Sequence, residues 1–235
     1  MAWYEDYDFA EDPFTSSSNL FGLDKVLDEI VYRVESGSMV FVEGKEGSGK
    51  SAVLKKLIER FGGRGKVIYF DCGQIERKVN IEGLMTGKYG FFGRLFKKVP
   101  KNMILLLDNA NRLSRKNCER IKHYFDSNYV KSVVFTGGSY SRAHFSRSLR
   151  DRIGGRVIRL RDLTPEQSVE AVRAKAPSVN LLPDDIIKEA FRLSAHNTKK
   201  FLASVSALCD KAVSDGADKV SEKHVKEVFG EDGAR

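Results

Sequence analysis

Gly44-Lys45-Glu46-Gly47-Ser48-Gly49-Lys50-Ser51 fits the pattern G-x-x-x-x-G-K-[ST], and its flanks give the match its weight. Before it, Met39-Val40-Phe41-Val42-Glu43 is an apolar run of strand length. After it, Val53, Leu54, Leu57, Ile58 and Phe61 recur at helical spacing from Ser51 onward. A strand, a glycine-rich turn and a helix in that order make a cradle for phosphate. Gly44, Gly47 and Gly49 lift the restrictions that a Cβ places on the backbone, so successive amide N–H groups can turn inward on an anion. The helix start adds unpaired N–H groups and the positive end of its dipole. The loop through Ala52 is therefore the expected phosphate site, with Lys50 reaching the β- and γ-phosphates of a nucleoside triphosphate and the Ser51 hydroxyl on Mg²⁺.

The rest of the chain is read around that loop. Val67-Ile68-Tyr69-Phe70-Asp71 is a second strand after a glycine turn. Met103-Ile104-Leu105-Leu106-Leu107-Asp108 is an unbroken apolar run ending in an acid, as a central parallel strand buried on both faces requires. Its terminal carboxylate emerges at the carboxyl edge of the sheet, where Asp108 can join Ser51 in holding Mg²⁺. A helix carrying Cys118, Ile121, Tyr124 and Phe125 leads to the strand Val133-Val134-Phe135-Thr136, and Val157-Ile158-Arg159-Leu160 makes a fifth. The expected fold is α/β, a five-stranded parallel sheet flanked by helices. Residues 74–100 leave two readings open: a helix packing Leu84, Phe91, Leu95 and Val99, or an exposed loop touching nucleic acid or a peptide.

Beyond Asp162 the pattern becomes all helical. Thr164-Pro165-Glu166-Gln167 starts a helix with a capping hydroxyl, a proline at the first helical position and a glutamine at the third. Further helices follow over 183–195, 198–214 and 221–229. The chain thus divides into an acidic aromatic arm (1–19), expected to be irregular and partly docked through its aromatics, an α/β domain (20–161) and a small helical lid (162–235).

Composition sets limits. No apolar run approaches the roughly 20 residues that span a bilayer, and the amino terminus lacks a basic, apolar leader, so a cytoplasmic protein is expected. Cys72, Cys118 and Cys209 are an odd number of widely spaced thiols, read as reduced and partly buried. The first 24 residues hold six acids and no Lys or Arg, so without them the formal net charge rises from +8 to +14. A body so basic suits a polyanion such as DNA, and equally a solvated basic surface.

An α/β nucleotide domain followed by a helical lid resembles the AAA+ ATPases. Within them it is most similar to the group of origin-recognition, replication-initiator, ExeA-type and transposition-associated ATPases. Asp12-Pro13-Phe14 resembles the leading segment that lies over the adenine in that group. Leu107-Asp108-Asn109-Ala110-Asn111-Arg112-Leu113-Ser114 resembles the motif hhhDEAxxLS, and Leu149-Arg150-Asp151-Arg152-Ile153 the segment that carries an arginine finger. The resemblance implies ATP and Mg²⁺ as ligands, Thr136 as a polar sensor and Arg152 as a finger offered to a neighbouring subunit, with Arg147 and Arg150 as alternatives. It also implies Lys199 as a lid sensor within His196-Asn197-Thr198-Lys199, a nucleotide-dependent oligomer, and work in a DNA-associated assembly. One departure stands out: Asn109 replaces the usual Glu. An amide can hold a water but cannot take its proton, so a contribution of about 10²–10⁴ in rate is absent at this position, and slow or partner-stimulated turnover is expected. The competing reading is a nucleotide-gated scaffold that recruits a protein partner through its arm.

Overall fold

Three apolar runs and two flanking ones assemble into one sheet. The structure, a computed structural model, describes residues 2–15, 21–62, 67–74 and 101–230. The readings placed on residues 75–100 lie outside the described residues. The strands are β1 (Met39–Glu43), β2 (Val67–Asp71), β3 (Met103–Asp108), β4 (Val130–Gly137) and β5 (Val157–Arg159), in the spatial order β2-β3-β4-β1-β5 and parallel throughout. Every residue of β3 is buried and only Lys131 of β4 is exposed. That explains their lack of apolar and polar alternation. The edge strands β2 and β5 are only partly covered.

Helices α1 (Asp24–Glu35), α2 (Lys50–Gly62), α3 (Arg115–Asp126) and α4 (Arg147–Ile153) belong to the same compact unit, formed by Leu23–Lys45 and Lys50–Leu160. Met39, Phe41, Leu105, Leu107, Cys118, Ile121, Val133 and Phe135 form one of its buried clusters. Local chemistry starts two of the helices: Ser114 accepts from Asn117 N at 3.3 Å, and Ser146 accepts from Leu149 N at 3.2 Å. Burial pushes the thiols of Cys72 and Cys118 up to about 12, with nearby carboxylates adding to it, and both sulfurs are unpaired.

The second unit groups Arg161–Arg235 with Met1–Gly22 and Glu46–Gly49. Its helices are α5 (Pro165–Lys175), α6 (Asp184–Leu193), α7 (Thr198–Ser214) and α8 (Glu222–Phe229). The capping box at α5 is complete: Gln167 N donates to Thr164 Oγ1 at 3.2 Å, and Thr164 N donates to Gln167 Oε1 at 2.9 Å.

The amino-terminal arm packs into this helical unit's core through its aromatics. Trp3 and Phe14 are buried and stacked with centroids 5.2 Å apart. The Trp3 indole N–H donates to Ser206 Oγ at 3.1 Å, and Ser206 donates to Asp12 Oδ2 at 2.7 Å. Phe14 is engaged with Trp3, because two large rings gain more from mutual burial than from water. Among the described residues no helix is long and apolar enough to cross a membrane.

Candidate nucleotide-binding site

The strand order brings the carboxyl ends of β1, β4 and β3 side by side, and the phosphate loop leaves from β1. Gly44 N donates to Gly137 O at 3.1 Å, carrying the β1/β4 pairing one residue past the strand. Gly47 and Gly49 have φ of 77° and 94°, the left-handed region in which a side chain is strained. Lys50 opens α2, and its ammonium donates to Gly44 O at 2.8 Å and to Lys45 O. The cation is thus held against the loop's own carbonyls. Ser48 Oγ is buried and has no hydrogen-bond partner among the described residues. A buried hydroxyl so placed is costly unless something polar meets it, and a phosphate oxygen held by the loop would satisfy it.

Within the same unit as Lys50, the Ser51 hydroxyl donates to Asp108 Oδ2 at 2.6 Å. Thr136 donates its hydroxyl to Asp108 Oδ1, and Asn109 N donates to that oxygen at 3.0 Å and to Thr136 Oγ1 at 3.3 Å. Asp108 and Thr136 are 3% and 0% exposed, so a buried carboxylate is satisfied by two hydroxyls and an amide. One hydroxyl and one carboxylate meeting at an open edge are hard oxygen donors suited to Mg²⁺, which keeps several waters of its own. Burial, then the charges of Asp108 and Asp71, push the Tyr69 phenol up, a sign of the negative field at these strand ends.

Asn109 takes φ of 54° and ψ of 40°, a left-handed conformation that Asn tolerates far better than Glu. Its amide points along the sheet edge, with Nδ2 donating to Asp71 Oδ1 at 2.8 Å. Asp71 went unread as a site residue in the sequence. The available signal was that two strands, β2 and β3, each end in Asp, and the structure pairs those ends directly, Asp71 with Asp108. Asn111 ties the next turns together, donating to Ser139 O at 2.8 Å and accepting from Gly138 N at 2.9 Å. These turns line a cavity of about 610 Å³ bounded by Gly73, Asn109, Asn111, Arg112, Gly138, Ser139 and Arg142.

The three arginines of the finger segment are not equivalent. Arg150 lies over the Tyr140 ring at 5.0 Å and donates to the carbonyls of Tyr140, Ser141, Ala143 and Phe145. Those bonds tie it to its own subunit's loop. Arg152 is 52% exposed and donates from Nε to Asp126 Oδ1 at 2.9 Å. Arg147 is exposed and makes no hydrogen bond or ion pair among the described residues. In the helical unit, Ala195 and His196 have φ of 51° and 56° and lead into Asn197, which caps α7 by accepting from Lys200 N at 3.1 Å. Asn197 Nδ2 also donates to Glu46 O at 3.0 Å, and a Cβ on Gly47 would collide with its side chain at 1.9 Å. Lys199 lies exposed in the first turn of α7. Asn197, not singled out by the sequence reading, is thus the residue of this turn that contacts the loop segment.

Neither a family model nor a curated protein sequence matches the chain. Solved structures do match in three dimensions. Cdc6p from Pyrobaculum aerophilum is 14% identical with a TM-score of 0.72, over 93% of this chain and 70% of that one. Orc1 of Aeropyrum pernix, solved in complex with DNA, is 16% identical with a TM-score of 0.69, over 97% and 68%. RuvB of Thermotoga maritima, a Holliday junction branch migration motor, is 13% identical with a TM-score of 0.68, over 92% and 72%. The chain has the fold of the AAA+ P-loop ATPases, in the form found in the Cdc6/Orc1 and RuvB proteins.

Proposed function

We propose that the protein binds ATP with Mg²⁺ and hydrolyses it slowly or on stimulation by a partner, as a cytoplasmic component of a DNA-associated assembly. The observation that carries this reading is the convergence of Ser51, Thr136 and Asp108 at the end of β3, with the Ser51 hydroxyl 2.6 Å from the carboxylate. Ser51 and Asp108 would hold Mg²⁺, which when bound neutralises phosphate charge. Lys50 exchanges its bonds to Gly44 O and Lys45 O for charge-assisted bonds to phosphate oxygens, which are roughly twice as strong as neutral ones. The amides around Gly47 and Gly49 orient the triphosphate. Thr136 steadies Asp108, and Lys199, which resembles the lid sensor of the AAA+ ATPases in its sequence position, is the sensor residue of the helical unit. Arg152 exchanges its exposed partner Asp126 for the γ-phosphate of a second copy or a related subunit, so assembly depends on nucleotide. The +14 carried outside the first 24 residues supports a DNA partner, whose affinity then falls steeply with salt. Two of the structurally similar proteins, Aeropyrum pernix Orc1 and Drosophila ORC, were solved bound to DNA.

Titration calorimetry with ATP and Mg²⁺, paired with gel filtration, tests the reading. The natural protein gives binding heat and a larger species with ATP. Lys50→Ala loses the heat, and Arg152→Ala keeps the heat but stays small. No nucleotide heat at millimolar ATP refutes the proposal. Asn109 favours the alternative of a nucleotide-gated scaffold, and ATP binding without turnover, with DNA present or absent, selects it.

A further inference from the structure

A carboxylate lies one strand away from Asn109 and is bonded to it. Asp71 closes β2 directly opposite Asp108, and its Oδ1 accepts from Asn109 Nδ2 at 2.8 Å and from Gly73 N at 2.7 Å. Those two donors fix the carboxylate's orientation. The other oxygen, Oδ2, takes no hydrogen bond among the described residues. A Cβ placed on Gly73 would come within 3.0 Å of Asp71 Oδ1 and 3.2 Å of Asn109 Nδ2, so glycine lets this turn close on the pair. Gly73 and Asn109, the two donors to that carboxylate, also line the cavity of about 610 Å³ along the ends of β2, β3 and β4. The donor and the carboxylate are therefore present as a bonded pair: the amide on the β3 turn, the acid on β2.

We propose that Asp71 takes the proton from the water that attacks ATP, with Asn109 as the positioning residue that holds it. The inference rests on the proposed ATP hydrolysis and names the base for it. In the step, the water oxygen forms a bond to the γ-phosphorus and the bond from that phosphorus to the β–γ bridging oxygen breaks. The bridging oxygen leaves on ADP with the electron pair. The water proton passes to Asp71 Oδ2 and from there to solvent. General-base assistance of this kind contributes about 10²–10⁴ in rate.

The test measures ATP affinity by calorimetry and hydrolysis by single-turnover assay, with and without double-stranded DNA, on the natural protein, Asp71→Asn, and the exchange variant Asp71→Asn/Asn109→Glu. Asp71→Asn is expected to bind ATP within about threefold of the natural protein and to hydrolyse it about 10²–10⁴ more slowly. The exchange variant, with amide on β2 and acid on the β3 turn, regains at least a tenth of the natural rate. Its recovery separates chemistry from misfolding, since it lacks Asp71 too. Hydrolysis by Asp71→Asn at the natural rate overturns the proposal. So does a natural protein that binds ATP without turnover in either condition, a result that leaves the binding reading standing. Absence of ATP binding by the natural protein overturns both.

Discussion

Replacing Phe14 with Ala should unfold the helical unit at lower denaturant, and the chain supplies its own reporter. Trp3 is the single tryptophan and is 1% exposed, with its indole stacked on Phe14 at 5.2 Å. Phe14 is itself 2% exposed. Truncating a buried Phe costs about 3–5 kcal/mol from lost transfer energy and the cavity left behind. One face of the indole is uncovered as well, while its N–H keeps Ser206. For a urea dependence of about 1.5–2 kcal/mol per molar, that loss moves the fluorescence midpoint down by about 1.5 to 3.3 M. Urea titration followed by Trp3 emission measures it, and Trp3 reports the helical unit rather than the sheet. A Phe14→Ala midpoint within about 0.5 M of the natural one, or native emission typical of water-exposed indole, refutes the placement of the arm. The result also bears on the scaffold reading. Deleting residues 1–19 removes core rings, so loss of partner binding in such a deletion reports unfolding as readily as recruitment.

Two further substitutions follow from the site. Thr136→Val keeps the shape of a fully buried side chain but removes a hydroxyl donor from Asp108; a stability loss of about 1–3 kcal/mol is expected in chemical denaturation, and a loss below about 0.5 kcal/mol counts against the network. In Asp126, hydrogen bonding from Lys122 foremost, and from Arg152, holds the carboxyl below its ordinary value. Its stabilisation is therefore present above the unfolded-state value and lost as pH falls through the lower folded-state one. Asp126→Asn should be less stable than the natural protein by about 0.2–1 kcal/mol at neutral pH and indistinguishable from it near pH 2. By releasing Arg152 it should tighten ATP-dependent assembly by up to about fivefold, and weaker assembly in gel filtration would count against Arg152 as the finger.

The parts of the fold that show in the sequence are those whose residues are set by neighbours close along the chain. β1 and β3 begin and end where their runs do, since burial on the sheet leaves no place for a polar interruption. The start of α5 is legible because its cap, Thr164 with Pro165 and Gln167, is complete within four residues. The end of α1 likewise falls at Ser36-Gly37, with Gly37 at φ of 73°. The arm is a different case. Its aromatics point to docking, but nothing between residues 1 and 15 indicates that Trp3 meets Ser206, over 200 positions away.

The site divides along the same line. Lys50 and Ser51 are legible because the loop is contiguous, and Asp108 because it ends an apolar run. Arg150 and Asp71 are not, because their roles depend on partners on other segments. Arg150 differs from Arg152 only in meeting the carbonyls of 140–145 rather than a solvent-exposed carboxylate. Asn109, read alone, is a lost acid. Its backbone conformation and its bond to Asp71 give the substitution a physical basis: a left-handed residue that bridges two strand ends is better made by an amide than by a glutamate, and a carboxylate on β2 accepts the amide's proton donor. Replacing Asn109 with Glu alone would therefore set two carboxylates facing each other where one donor and one acceptor now meet. That is why the exchange of both residues, rather than restoration of the familiar acid, decides whether the edge of this sheet was built to hydrolyse ATP.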